Sequence, residues 1–230
     1  MEIQDLVKTF KQNTRACAAE FIGVFALVFV GMGAIASDMI TGGQTTLLGV
    51  ALAHGLTIAV MVTVFMNVSG GHLNPAVTIG MLVTKRIDGV LAIAYIIAQY
   101  LGGLAGAVAI QTIIVGEVPF GTGVPALARG ISPVVGLLLE VILTFFLVLS
   151  IFGTAVDKSA PKMGGLFIGL TVTLGILVGG PISGAAMNPA RHLGPAIFGG
   201  GLGSAWLYTL GPIIGGVIAA FVYEQVIEKK

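Results

Sequence analysis

SGGHLNPAVTIG at residues 69–80 and SGAAMNPARHLG at 183–194 decide how this chain folds. Each copy opens on Ser-Gly and places Asn five residues after the Ser, at Asn74 and Asn188. Asn is a strong helix N-cap, and proline suits the first helical position because the N–H it lacks has no partner there. Asn74-Pro75-Ala76 and Asn188-Pro189-Ala190 therefore read as two helix starts, each fed by a loop of small residues. The apolar runs that follow stop at Lys85 and at Gly199-Gly200-Gly201, only two to three turns on. A helix needs about 20 apolar residues to cross a bilayer. Two capped half-helices are expected, and in a membrane chain they point to a pore.

Composition makes it a membrane chain. Of its 230 residues 56% are hydrophobic and 9% charged, where soluble domains carry about 25% charged residues. Mean hydropathy is +1.04. The 35 glycines suit helices packed backbone to backbone in lipid. A net charge of +1 gives no electrostatic ground for a nucleic-acid partner. No Ser/His/Asp set, metal-ligand cluster or phosphate loop stands out, so neither an enzyme, a cofactor nor a metal is expected. Cys17 has no second cysteine to pair with and reads as an apolar residue at the mouth of the first span. The N-terminal stretch is polar and partly amphipathic, without a cleavable signal pattern.

Six apolar stretches, about 16–36, 46–67, 89–113, 133–153, 164–182 and 204–226, have spanning length. Lys8, Lys11, Arg15, Lys85, Arg86, Lys158, Lys162, Lys229 and Lys230 flank them on one side, and Arg129 alone lies in the opposite connections. By the positive-inside rule both termini are cytoplasmic. The halves also repeat. AEFIGVFALVFVG at 19–31 echoes LEVILTFFLVLSIFG at 139–153, with early acids Glu20 and Glu140, and YLGGLAGAV at 100–108 echoes TLGPIIGGV at 209–217. Three spans per repeat is odd, so the second half enters from the opposite side. An inverted repeat of this kind holds its site near the midplane, between discontinuous helices. The expectation is an all-α membrane protein, one channel domain over 1–230, with repeat one about 16–113 and repeat two about 133–226.

Segments 68–84 and 183–199 would then meet head to head at mid-bilayer, each N-terminus carrying about half a positive charge. Non-helical backbone at that depth must line water or be buried in protein. The carbonyls of Gly70, Gly71, His72, Gly184, Ala185 and Ala186 would form a polar track, with the Asn74 and Asn188 amides donating into the lumen. Such a centre suits a neutral hydrogen-bond acceptor and repels cations.

Both Asn-Pro-Ala boxes, SGGHLNPAV, NPAR, the two early glutamates and the three-plus-three repeat make the chain resemble the aquaporin, or major intrinsic protein, family along essentially its full length. The resemblance implies a right-handed bundle of six transmembrane helices with two re-entrant half-helices, one pore per subunit and a homotetramer. It implies passive conduction of water or small neutral solutes with proton exclusion, and glutamates that brace the re-entrant loops. Its four-residue filter, counted from the boxes, falls on His54, Ile176, Ala185 and Arg191. At 1.5 Å per residue His54 lies about 12 Å and Ile176 about 9 Å in from the outer ends of their spans, a common level. An intramembrane arginine is functional by default.

This ring departs from the Phe, His, small, Arg ring of water-specific members and lacks the two aromatics of glycerol facilitators. It looks most like plant tonoplast intrinsic proteins. Ile176 in place of His leaves a wider, less polar opening, and His54 and Arg191 are expected to offer donors from one side. His72 is expected to line the cytoplasmic half and His192 to pack at the outer vestibule, while Trp206 and Tyr208 read as an interfacial belt. A water channel leads; a glycerol or ammonia facilitator and a secondary transporter stay open. Short termini favour a plasma membrane.

Overall fold

The computed structural model describes residues 3–160 and 163–227, so the expected cytoplasmic cations Lys162, Lys229 and Lys230 lie outside the described residues. The chain builds α1 (Ile3–Gln12), α2 (Thr14–Ile40), α3 (Thr46–Ser69), α4 (Pro75–Val83), α5 (Gly89–Ile113), α6 (Pro133–Ile151), α7 (Gly164–Ser183), α8 (Pro189–Gly199) and α9 (Ala205–Val222). A single π-helical turn extends α6 over Phe152–Val156, and another extends α9 over Tyr223–Ile227. Six helical segments, those of α2, α3, α5, α6, α7 and α9, are long and apolar enough to cross a membrane. The protein is an integral, multi-pass, all-helical membrane protein.

The short helices begin where the boxes require. Asn74 accepts from the Ala76 N–H at 2.9 Å, and Asn188 from the Ala190 and Arg191 N–H groups at 3.0 and 3.2 Å. Each cap satisfies donors that a helix start leaves open. Asp88 caps α5 through the Val90 N–H at 2.9 Å. Ser132 caps α6, with Pro133 in the first turn.

Packing follows the repeat. The α2–α5 pair matches α6–α9, and α3 lies against α7 between the halves. Glycine sets these distances. A Cβ at Gly55 would strike the Gly169 carbonyl, and one at Gly169 the Gly55 carbonyl. The matching positions Gly102 and Gly215 similarly face backbone of α2 at Phe21 and of α6 at Val141. Without a hydrophobic force between helices in lipid, such close approach is the main source of association. Each half-helix crosses over: α4 packs on α9 and α8 on α5.

Candidate functional site

The loops before α4 and α8 share one backbone pattern. Positive φ occurs at Gly70, Gly71 and Leu73 (88°, 62°, 50°) and at the matching Gly184, Ala185 and Met187 (79°, 45°, 49°). Left-handed backbone at a non-glycine residue costs on the order of 1–3 kcal/mol and persists only where the surroundings impose it. Glu20 and Glu140 impose it here. Glu20 Oε1 accepts from the Ser69 hydroxyl and the His72 N–H (2.6 and 2.9 Å), and Oε2 from the Leu73 N–H at 2.6 Å. Glu140 repeats this with Ser183, Ala186 N–H and Met187 N–H at 2.7, 2.9 and 2.8 Å. Both carboxylates are fully buried.

The repeat is broken one layer out. Gln99 Nε2 donates to Glu20 Oε2 at 2.7 Å and to Thr78 Oγ1 at 2.9 Å. The contacts pair Gly102 with Gly215 and Gly103 with Gly216, one helical turn from the pairing that the echo of 100–108 in 209–217 gives, so Pro212 stands at the Gln99 position. His192 stands at the Thr78 position, counted from the boxes. Tyr208 donates to the Ser183 carbonyl at 2.7 Å, and His192 stacks on its ring at 4.2 Å between centroids. Tyr208 is fully buried, so it belongs to the packing behind the second loop and not to an interfacial belt, where half-exposed Trp206 remains. Tyr95 is the counterpart of Tyr208 in the first half, donating to the Ser69 carbonyl at 3.0 Å. His72 Nδ1 lies 3.2 Å from Thr78 Oγ1.

The two box asparagines hold the opposite loops together. Asn74 Nδ2 donates to the Met187 carbonyl and Asn188 Nδ2 to the Leu73 carbonyl, both at 2.8 Å. The expectation that each amide donates freely to the lumen is thus half right: an amide carries two N–H bonds, and one of each is already engaged. The half-helix N-termini meet head to head through these bonds.

A narrow cavity of about 30 Å³ runs past this junction, lined by Asn74 and Asn188 and by His54, Ile176, Ala185 and Arg191. A cavity needs about 10–15 Å³ by this measure to hold one water, so the passage is water-sized. Gly71, His72, Ala185 and Ala186 line it, as do Leu73 and Met187. Gly70 does not: it ends α3 as a left-handed cap. Gly184, the corresponding cap of α7, lines a wider outer vestibule of about 390 Å³ together with His54, Ile176 and Arg191. The three expected filter positions shared by both cavities, His54, Ile176 and Arg191, lie where the two meet.

At that meeting point the hydrogen bonds fix a tautomer. His54 Nδ1 is 2.9 Å from the Val50 carbonyl, which can only accept, so Nδ1 carries the proton. Nε2 then holds a lone pair and faces Arg191 Nη2 at 3.2 Å. His54 is therefore an acceptor occupied by arginine, correcting the expectation of a second donor. A Cβ at Gly31 would overlap the His54 ring, so that glycine makes room for it. Arg191 Nη1 donates to the Gly123 carbonyl at 3.2 Å. Among the described residues Arg191 has no carboxylate within salt-bridge distance, which leaves its charge to act on the passage.

Gly123, Leu73 and Met187 escape a reading of the sequence. Their contribution is a backbone carbonyl, and only the place directly before each Asn marks Leu73 and Met187. Gln99 leaves a fainter sign, an amide inside an apolar span. Cys17 is buried between α2 and α5, away from the passage.

The family profile described as Major intrinsic protein matches residues 7–223. The chain is 43% identical to Aquaporin TIP4-4 of Zea mays, across 91% of this chain and 85% of that protein. It is equally similar, at 43%, to Probable aquaporin TIP3-2 of Arabidopsis thaliana (95% and 86% covered). Aquaporin NIP1-1 of Oryza sativa subsp. japonica follows at 41% (90% and 72%). Among solved structures the chain is similar to the aquaglyceroporin from Plasmodium falciparum, with a TM-score of 0.84, 28% identity, and coverage of 94% and 97%.

Proposed function

This chain belongs to the major intrinsic protein family, and from that premise we propose how its own residues make a pore. The protein is a passive channel for water and small neutral solutes, not an enzyme and not a coupled transporter. Selectivity in aquaporin-type pores comes down to diameter, lining donors and an electrostatic barrier. His54, Ile176, Ala185 and Arg191 supply the constriction. The free N–H bonds of Asn74 and Asn188, with the carbonyls of Gly71, His72, Ala185 and Ala186, guide permeants past the midplane. Two facing helix N-termini and the charge of Arg191, which has no carboxylate partner among the described residues, exclude protons and cations. Glu20 and Glu140 brace the loops.

The observation that carries this reading is the reciprocal Asn74–Met187 and Asn188–Leu73 bonding inside a water-sized cavity. With Ile176 in the ring, ammonia passes alongside water, and glycerol passes more slowly. Stopped-flow light scattering on proteoliposomes, run with water, ammonia and glycerol gradients, tests the order. Glycerol flux matching water flux would replace it with a glycerol facilitator.

The whole chain acts as one unit, repeat one about 16–113 and repeat two about 133–226, because each half-helix packs on the other half's last span. Both termini face the cytoplasm. Four copies assemble, each with its own pore. In support, Leu48, Leu52, Leu56, Val60, Val64 and Val68 form a bare ridge along α3, and an apolar groove of about 650 Å³ opens between α6 and α7. For the membrane itself, similarity to TIP aquaporins favours a tonoplast over the plasma membrane expected from the sequence.

A further inference from the structure

Helix α1 places Ile3, Leu6, Val7 and Phe10 on one face, within about 100° of arc at the helical period. Half of that face is covered: Leu6 and Phe10 pack on Ala16, Cys17, Ala94, Tyr95 and Ala98. The other half is bare, with Ile3 82% and Val7 47% exposed. Beneath α1, between α2 and α5, runs an open apolar groove of about 360 Å³, lined by Phe10, Lys11, Cys17, Ala18, Phe21 and Leu101 among others. From Thr14 to Phe21 it descends about 10 Å along α2, well into one leaflet of a core about 30 Å thick. Lys11 lines it, and two further exposed cations, Lys8 and Arg15, lie within four residues of Lys11 in the sequence, with Asp5 the one acid among the described residues of α1. Among the described residues none of the three has a salt-bridge partner.

We propose that this groove is a binding site for an anionic phospholipid, with an acyl chain along Ala18, Phe21 and Leu101 and the headgroup phosphate beside Lys8, Lys11 and Arg15. Helix α1 lies in the interface over it, its bare Ile3 and Val7 entering the headgroup boundary as amphipathic interfacial helices do. The charge selects the headgroup and the groove selects a membrane lipid over a free anion. The site stands apart from the passage, so lipid retention and water flux are separate readouts.

Native mass spectrometry tests this on the full chain extracted from bilayers of equal phosphatidylglycerol and phosphatidylcholine. The unmodified protein should retain phosphatidylglycerol preferentially. K8Q/K11Q should lower that preference about fivefold per lysine removed, the affinity one basic residue adds beside an anionic surface. A18W should lower retention of both lipids by filling the groove. Water flux should stay unchanged in both variants. Equal retention of the two lipids by the unmodified protein would overturn the proposal, as would a preference that survives K8Q/K11Q. Undiminished lipid in a folded A18W, or displacement by inorganic phosphate, would overturn the groove as its seat.

Discussion

Arg191 Nη2 and His54 Nε2 lie 3.2 Å apart, with the imidazole as acceptor because its Nδ1 proton is held by the Val50 carbonyl. The histidine therefore holds the arginine, and in the proposed ring it narrows the opening without donating to permeants. His54→Ala removes both effects. Glycerol flux should rise more than water flux in proteoliposomes, and an unchanged ratio would remove His54 from the constriction.

Glu20 and Glu140 each hold a re-entrant loop by both carboxylate oxygens. A glutamine in either place keeps the volume but turns one acceptor into a donor. In Glu20→Gln, the otherwise unpartnered Gln99 Oε1 can turn toward the new amide. Each substitution then orphans one buried backbone N–H, that of Leu73 or of Met187. The cost is about 1–3 kcal/mol in each case, read as a lowered melting temperature in detergent. Unaltered melting would mean the loops hold their shape without the carboxylates.

The architecture was legible because its signals are long or duplicated. Six apolar runs, two capped boxes and two early glutamates all appear in the sequence, and the helices fall within a few residues of the expected limits. Bringing His54 and Arg191 together needed the family resemblance, since nothing local links them across 137 positions. The pairings stayed hidden for a physical reason. A carbonyl from Leu73, Gly123 or Met187 has no side-chain signature, and the Asn74–Asn188 exchange depends on left-handed backbone that Leu73 and Met187 do not advertise. Tyr208 misled because an aromatic near a span end resembles a belt residue until its hydroxyl finds the Ser183 carbonyl.

Mercurials provide a test of lining. Cys17 is buried between α2 and α5, whereas Ala185 lines the passage. Water flux of the unmodified protein should resist mercury, and Ala185→Cys should make it sensitive. Inhibition of the unmodified channel would contradict the position of Cys17.

Asp157, just past the π-turn that ends α6, accepts from the Ser159 hydroxyl at 2.7 Å, the Ser159 N–H at 2.8 Å and the Tyr223 hydroxyl at 2.7 Å. These bonds, led by the Ser159 hydroxyl, lower its pKa to about 2 from an ordinary 3.8. A depressed carboxyl stabilises the fold fully above its unfolded value and loses that contribution as pH falls through the folded one. The clasp between α6 and α9 should therefore hold unchanged from about pH 5 to 8. Asp157→Asn should lower the melting temperature near pH 6, with the difference closing toward about pH 2. A difference that persists at the acid end would assign the effect to packing.

Ile176 is the member of the proposed ring that departs from the ring expected of water-specific channels, and its replacement is the sharpest test of the filter. It lines both the passage and the outer vestibule, as do Arg191 and His54. An isoleucine there offers no hydrogen bond, so permeants are held by Arg191 and by backbone carbonyls while an apolar surface faces them. Ammonia and water are small and neutral and pass such an opening; the carbon backbone of glycerol finds only one apolar wall. Ile176→His adds a polar group and closes part of the width. Water, which can exchange hydrogen bonds with a second imidazole, should keep its flux, while ammonia and glycerol fluxes should fall. Should all three solutes keep their ratios in both Ile176→His and His54→Ala, the constriction must lie elsewhere along the passage.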